Sequence, residues 1–120
     1  MIKEFTDLKI WQLSHSLTLL IYKLTDRFPR KEIFGIESQI RRSAASVGAN
    51  IAEGFSRNST KEFIQFLCIA RGSLTETINF LILAKDLNYF KNEEYSDIND
   101  KYTILNKQIN ALIKVLRNKI

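Results

Sequence analysis

Apolar side chains recur every three or four residues in four separate stretches of this chain, a spacing typical of amphipathic α-helices. The predicted helices run from about Leu8 to Arg27, from near Lys31 to about Gly54, from Ser59 to near Asn88, and from Asn92 onward. The residues predicted to face the core are Leu13, Leu17, Leu20, Leu24 and Phe28 in the first helix, Ile36, Ile40, Ala44, Val47 and Ile51 in the second, Phe63, Leu67, Ala70, Leu74 and Leu81 in the third, and Ile98, Tyr102, Leu105, Ile109, Leu112 and Leu116 in the fourth. Short connections favour antiparallel neighbours. The pattern therefore predicts an all-α fold, an antiparallel up-down-up-down four-helix bundle in which residues 1–120 form a single domain.

Capping and helix-breaking residues set the expected boundaries of these helices. Asp7 is a candidate N-cap of the first helix, and Pro29 ends that helix. Ser59 and Glu62 have the spacing of a capping box, so a third helix is expected to start there. Asn92 is a candidate N-cap of the fourth helix.

Small and polar residues mark the second helix. Ala45, Gly48 and Ala52 form a small-residue flank beside the apolar stripe, which predicts a close approach of a neighbouring helix axis. Ser43 and Asn50 fall near the core boundary on the opposite flank, where their polar groups need partners. We expect both to make hydrogen bonds between helices.

Two of the helices carry a second apolar face, which one small bundle cannot bury together with the first. On the third helix these residues lie opposite the core stripe, and on the first helix they lie away from it. The predicted subunit interface comprises Trp11, Leu19, Tyr22, Ile69, Phe80, Leu83 and Leu87. A helix that is apolar all round usually meets another protein surface, so this pattern predicts a homo-oligomer. The alternative is that these are scattered exposed apolar residues, which are common.

The charge of the chain indicates a nucleic-acid partner. The formal net charge is +5, and the candidate phosphate-binding residues around the second and third helices and their connection are Arg41, Arg42, Arg57, Lys61 and Arg71. They are expected to form one cluster that binds RNA or DNA without reading its sequence. The alternative is that they are solvated or paired within the chain, Arg42 and Arg57 with Glu53. Residues 101–120 hold five bases and no acid, a pattern that the helix macrodipole also explains.

The sequence gives little support to an enzyme, a cofactor or a metal site. His15 is the only histidine and Cys68 the only cysteine, and no nucleophile paired with a base, Glu-x-x-His motif or glycine-rich phosphate loop is present. A lone cysteine and the absence of a secretory signal favour the cytoplasm. The longest uncharged run, residues 10–22, is too short to cross a membrane. A second noncatalytic function stays open, that of a protein adaptor presenting the exposed aromatics Trp11 and Tyr22.

The segment from Gln39 to Gly54, QIRRSAASVGANIAEG, resembles the signature of a four-helix-bundle family, the intervening-sequence proteins of bacterial 23S rRNA genes, sometimes labelled the S23 ribosomal protein family. The similarity extends to Asp7, Leu8, Ile10, Trp11, Tyr22, Leu24, Thr25, Phe28, Pro29, Glu32, Phe34, Gly35 and Ile36 before it, and to Arg57, Ser59, Glu62, Phe63, Phe66, Leu67, Ala70, Gly72, Ser73, Leu74 and Glu76 after it. The resemblance implies a four-helix bundle that assembles as a ring-like homopentamer. It departs at Gly48, where relatives commonly place Pro, Ala or Ser. A group of similar fold, the accessory variability proteins of diversity-generating retroelements, associates with a reverse transcriptase and nucleic acid.

These observations together predict a noncatalytic, cytoplasmic, homo-oligomeric module, pentameric by resemblance, that binds nucleic acid, with structured RNA favoured. The alternative is a protein–protein adaptor or scaffold that has no affinity of its own for nucleic acid.

Overall fold

The computed structural model describes all 120 residues and consists of four α-helices with no β-strand. The helices are α1 (Lys9–Thr25), α2 (Ile36–Phe55), α3 (Thr60–Asp86) and α4 (Asn92–Arg117), and short 3-10 turns occupy Phe5–Asp7 and Arg30–Glu32. Helix α2 packs between α1 and α3, α3 also packs on α4, and α4 returns to α1. The bundle measures 46 × 24 × 22 Å. The predicted all-α, up-down-up-down architecture is confirmed.

Two predicted N-caps are wrong. Asp7 closes the turn before α1, and its carboxylate accepts hydrogen bonds from the backbone N–H groups of Lys3 and Glu4 at 2.9 and 3.0 Å, so Leu8 is the N-cap. In α4 the first helical residue is Asn92 and the N-cap is Lys91, whose N–H donates to the Glu94 carboxylate at 3.0 Å. In both cases an acidic side chain accepts hydrogen bonds from backbone N–H groups near a helix start, but at a different position from the one that the sequence predicts.

The start of α2 also differs from the prediction, while that of α3 agrees with it. Helix α2 begins at Ile36 and not near Lys31, because Gly35 has non-helical backbone angles of φ −108° and ψ −120°. The Glu32 carboxylate accepts the Ile36 N–H at 3.3 Å and caps the delayed start. In α3 the Ser59 hydroxyl accepts the Glu62 N–H at 3.1 Å, which confirms Ser59 as the N-cap. The Glu62 carboxylate accepts a hydrogen bond from the Ser59 hydroxyl at 3.1 Å and not from its backbone N–H, so only one half of the capping box is present.

One apolar core of 23 buried residues fills the bundle, and its stripes are rotated slightly from the predicted ones. Leu17, Ile21, Ile40, Ile51, Leu67, Leu81, Leu105 and Ile109 are among the fully buried side chains. Four residues predicted to face the core lie at its margin and are half-buried, namely Leu13, Leu20, Phe63 and Leu112. Their neighbours on the helical wheel are buried instead, namely Ile10, Ile21, Ile64 and Ile113. In each case an adjacent position on the helical wheel lies closer to the axis of the bundle, a difference that periodicity alone does not resolve.

Hydroxyl groups link α2 to α3 inside the bundle. The Ser43 and Thr77 hydroxyl oxygens are 2.8 Å apart, and those of Ser46 and Ser73 are 3.1 Å apart. The prediction of a bond between helices is confirmed for Ser43. It is wrong for Asn50, whose side-chain amide donates to the Ser46 carbonyl and hydroxyl within α2, at 2.8 and 3.0 Å.

Two glycines allow α2 to approach its neighbours closely. A Cβ on Gly48 would lie 3.3 Å from the Ser14 Oγ of α1, which confirms the close approach predicted there. A Cβ on Gly54 would lie only 2.7 Å from the Phe66 Cβ of α3. The rest of the predicted flank points elsewhere, since Ala45 is exposed and Ala52 half-buried.

Replacing Tyr102 by phenylalanine is expected to raise the free energy of unfolding by about 1 kcal/mol. The Tyr102 side chain is 1% exposed and its hydroxyl has no hydrogen-bond partner. Burial raises the pKa of Tyr102 well above its ordinary range, so the unpaired group is a neutral phenol. The substitution keeps the ring and removes the cost of burying that hydroxyl. Urea unfolding followed by circular dichroism measures the change, and a loss of stability would show that the hydroxyl is satisfied in solution.

The connections at one end of the bundle are joined by a hydrogen bond from the Tyr89 hydroxyl to the Glu32 carboxylate, at 2.6 Å. This bond is the main reason that the pKa of Glu32 lies below its ordinary value of 4.5, and the hydrogen bond from the Ile36 N–H lowers the pKa further. A carboxyl whose pKa is lowered by folding stabilises the fold above its unfolded pKa, and that contribution is lost as the pH falls through the folded value.

Replacing Tyr89 by phenylalanine is therefore expected to lower stability at pH 7 and to flatten its decline below about pH 4.5. Urea midpoints at pH 7 and pH 3 measure this, since the difference between them shrinks in the variant. An unchanged difference would contradict a role of the Tyr89 bond in the titration of Glu32.

Candidate functional site

The net positive charge is concentrated at one end of the bundle, because the acidic residues are fewer there. We call the half made of residues 1–17, 46–72 and 106–120 the basic end; it holds nine bases and four acids. The other half, residues 18–45 and 73–105, is the balanced end and holds nine bases and nine acids. The whole formal net charge of +5 therefore belongs to the basic end.

The ion pairs are distributed in the opposite way. Five of the six pairs lie at the balanced end, joining Arg27 to Glu94, Arg41 to Asp26 and Glu37, Lys85 to Asp86, and Lys101 to Asp97. The basic end has only the pair between Arg57 and Glu53, at 3.4 Å. Its remaining cations have no carboxylate partner, and all of them except the half-buried Arg71 are exposed, so they can receive phosphate groups without breaking an ion pair.

Arg41 joins α1 to α2. Its guanidinium donates to the Thr25 hydroxyl at 2.7 Å and to the Asp26 carboxylate at 2.9 Å. It also pairs with Glu37 at 3.2 Å and lies over the Tyr22 ring, 4.5 Å from the centroid. These contacts leave its side chain 25% exposed. Arg41 thus occupies a structural position, in agreement with the alternative that predicted internal pairing.

The structure does not bring the five predicted phosphate-binding residues into one cluster, and that expectation is wrong. Arg42 is exposed and unpaired, but it lies near the start of α2, about 20 Å along the helix axis from Phe55. Arg57 lies in the connection that follows Phe55, and Lys61 lies in the first turn of α3. The sequence pattern assigned all five residues to α2, α3 and their connection, but it did not show that they lie at opposite ends of the bundle.

The other three predicted residues lie at the basic end. Arg57 extends over the Phe66 ring, 4.8 Å from the centroid, while it pairs with Glu53. Lys61 is exposed and has no ion pair. Arg71 donates to the Asn110 side-chain carbonyl of α4 at 2.8 Å. Of the predicted pairings with Glu53, the one with Arg57 is present and the one with Arg42 is not.

Basic residues of α4 also lie at the basic end, although the sequence pattern did not predict them as part of the site. Lys107, Lys114 and Arg117, together with Asn110, follow each other at intervals of three or four residues and form one stripe beside Arg71. The helix macrodipole explained these charges within α4 alone. In an antiparallel arrangement the C-terminus of α4 lies beside the start of α3, where other cations lie. The predicted topology could therefore have indicated these residues.

Five of the seven predicted interface residues are exposed. Leu19, Tyr22, Ile69, Leu83 and Leu87 have exposed fractions between 44% and 59%. Trp11 and Phe80 are half-buried against the core. The Trp11 ring also stacks on His15, with centroids 4.7 Å apart. Trp11 and Phe80 therefore contribute less free surface than the sequence predicts, and the interface itself stays a prediction.

Groups suited to catalysis or metal binding are sparse. No three His, Cys, Asp or Glu side chains lie close enough together to hold a metal ion. Cys68 is half-buried, with its Sγ 3.8 Å from the Arg71 guanidinium. Helix α3 is long and apolar enough to cross a membrane by length and composition, a test that core helices also pass. It packs against α2 and α4 and carries Arg71 and Glu76 near its centre.

Comparisons with known proteins give one family and one solved fold. A family model described as 23S rRNA-intervening sequence protein matches residues 6–111. The crystal structure of a protein of unknown function from the S23 ribosomal protein family of Bacteroides thetaiotaomicron is similar, with a TM-score of 0.78 and 32% sequence identity. The similarity covers 88% of this chain and 98% of that one. No functionally curated protein matches the sequence.

Proposed function

Because the chain belongs to the 23S rRNA-intervening sequence protein family, we propose that it is a noncatalytic, cytoplasmic helical module that binds structured RNA through its basic end. The observation that carries the proposal is the placement of the whole net charge of +5 at one end, where a single ion pair is present. Such a surface gains affinity by releasing counterions from phosphates and does not read sequence. The name of the family favours RNA over DNA as the ligand.

The module acts as a homo-oligomer in this proposal, a pentamer by family resemblance. The exposed apolar residues of α1 and α3, among them Leu19 and Leu83, flank the outward side of α2, where Ala45 and Ala49 are exposed. Small residues between larger apolar ones suit close contact with another helix. Repeating the basic end around a ring would present several phosphate-binding surfaces to one RNA, which raises the overall affinity without any new contact.

Light scattering coupled to size exclusion, with and without a short hairpin RNA, tests both parts of the proposal. A subunit of 14.0 kDa predicts a species of about 70 kDa for a pentamer. Addition of RNA should shift this species at low salt and not at moderate salt, because counterion release weakens as salt rises. A species that ignores RNA at every salt concentration would overturn the binding function, and a monomer would overturn the assembly.

Replacing Leu83 by glutamate is expected to convert the oligomer to a 14.0 kDa monomer. The side chain is 45% exposed in the isolated subunit, so the bundle tolerates the charge while an apolar interface does not. Ile104→Glu, at a position of α4 that is 52% exposed and outside the proposed interface, is the matched control and should stay oligomeric. Equal behaviour of the two variants would contradict the assignment of the α3 face.

An adaptor function is the second candidate, and the connection between α1 and α2 favours it. Phe34 there is 95% exposed and its neighbour Ile33 is 46% exposed. Exposed aromatic side chains are common anchors of protein contacts. An adaptor would retain a protein partner after nuclease treatment and lose it on Phe34→Ala substitution, whereas an RNA-binding module would lose its associated material to the nuclease.

A further inference from the structure

A cleft at the basic end is lined by two phenylalanine rings. Its volume is about 340 Å³, and its walls are Glu4, Phe5, Thr6, Phe55 and Ser56. We call it the Phe5–Phe55 cleft. It brings the 3-10 turn before α1 beside the last turn of α2. A volume near the lower limit of small-molecule sites, which begin at about 300 Å³, fits one planar ring system.

Both rings are held in place by a second aromatic residue. Phe5 meets the Trp11 ring edge to face, with centroids 5.3 Å apart and planes at 75°. Phe55 meets Phe63 in the same way at 6.1 Å and 80°. Phe5 nevertheless remains 37% exposed, and Phe55 is half-buried. Rings fixed from one side and accessible from the other can stack with a ligand at little entropic cost.

The polar groups around the cleft suit a nucleotide better than an uncharged aromatic ligand. Lys3 and Arg57 adjoin lining residues in the chain. Arg57 pairs with Glu53 and lies over the Phe66 ring, whereas Lys3 is exposed and has no ion pair. Two nearby carboxylates are already engaged, that of Asp7 with backbone N–H groups and that of Glu53 with Arg57. Glu4 lines the cleft and has no ion pair, so its carboxylate is available to accept hydrogen bonds from an exocyclic amino group of a base.

From this geometry, and resting on the proposed RNA-binding function, we propose that the Phe5–Phe55 cleft binds an unpaired nucleobase of a single-stranded segment. Lys3, which carries no ion pair, holds an adjoining phosphate, and the rings stack on the base. The Glu4 carboxylate favours bases that carry an amino group over uracil or thymine, which present a carbonyl oxygen at that position. The expected ligand is thus a junction between paired and unpaired nucleic acid. Its unpaired base binds in the cleft, and its duplex binds to the remaining cations of the basic end.

Tryptophan fluorescence provides a local readout of this site. Trp11 is the only tryptophan and contacts Phe5, so a base that stacks in the cleft changes its emission. Single-stranded oligocytidylate should quench this emission and should bind about tenfold more tightly than oligouridylate at low salt. Ribose and deoxyribose versions of the cytosine oligomer distinguish the two sources of an unpaired base, since a contact to base and phosphate alone gives equal affinities.

Phe5→Leu is expected to weaken oligocytidylate binding about tenfold and to leave binding of a blunt hairpin RNA unchanged. Phe34→Leu, at an exposed phenylalanine of the balanced end, is the matched control and should change neither. Thermal unfolding by circular dichroism verifies that both variants fold.

Two results would overturn the inference while the proposed function survives. These are hairpin binding with no quenching of Trp11 by single strands, and equal weakening of both ligands by Phe5→Leu. Absence of binding to every oligonucleotide would overturn the proposed function together with the inference.

Discussion

Replacing Gly54 by alanine is expected to lower the free energy of unfolding by about 2 kcal/mol, although alanine is the better helix former. An added Cβ would lie 2.7 Å from the Phe66 Cβ and 3.0 Å from the Phe63 Cδ1. The Phe66 Cβ is fixed to the backbone, so no rotation of its side chain relieves the contact. The axes of α2 and α3 must separate, which loosens the helix pair that also carries the Ser43–Thr77 and Ser46–Ser73 bonds.

The matched control is Gly72→Ala, in the middle of α3. A Cβ at that position meets no atom within 4 Å, so only the gain in helix propensity remains. This substitution is expected to raise the free energy of unfolding by about 1 kcal/mol. Urea unfolding of both variants therefore gives opposite signs for the same chemical change. Stabilisation by Gly54→Ala would contradict the close approach of α2 to α3 at this glycine.

The four helices of this protein could be predicted from the sequence because their apolar spacing extends over three turns or more. The boundaries were less accessible, since they depend on contacts between distant residues. Glu32 caps α2 while it binds Tyr89, which lies 57 positions further along the chain. No local sequence pattern predicts such a pairing. The predicted start of α2, near Lys31, therefore precedes the observed start at Ile36. The rotation of the core stripes has the same origin, because the positions of the neighbouring helices determine which side of each apolar stripe is buried.

The candidate site could be predicted only in part. Arg57, Lys61 and Arg71 were identified as basic residues near a connection, but the sequence did not show that Arg41 is held by Thr25 and Asp26 of the preceding helix. Cations of α4 were missed because they are remote in sequence from the others and adjacent to them only in the bundle. The aromatic cleft depends on the turn before α1, whose course over the end of α2 has no sequence signature.

The largest expected effect on function comes from two cations of α4. The double variant Lys114→Gln, Arg117→Gln should lower affinity for a short hairpin RNA on the order of fiftyfold at about 0.1 M salt. Each phosphate contact multiplies the association constant for RNA by roughly the inverse of the salt concentration raised to the power 0.9. At about 0.1 M salt this factor is about eightfold. The slope of log affinity against log salt should become shallower by about two. Electrophoretic or anisotropy titrations at four salt concentrations measure both quantities.

The matched control is the double variant Lys23→Gln, Arg30→Gln at the balanced end, where both residues are exposed and unpaired. Each double variant lowers the formal net charge from +5 to +3, so the two differ only in where the charge is removed. If the basic end holds the phosphates, the control changes affinity by about twofold through long-range attraction alone, since salt screens charges beyond about 10 Å. Equal losses in both variants would mean that RNA responds to the overall charge of the protein and not to one surface. The location of the lost charge, with net charge held equal, therefore separates a binding site from nonspecific attraction.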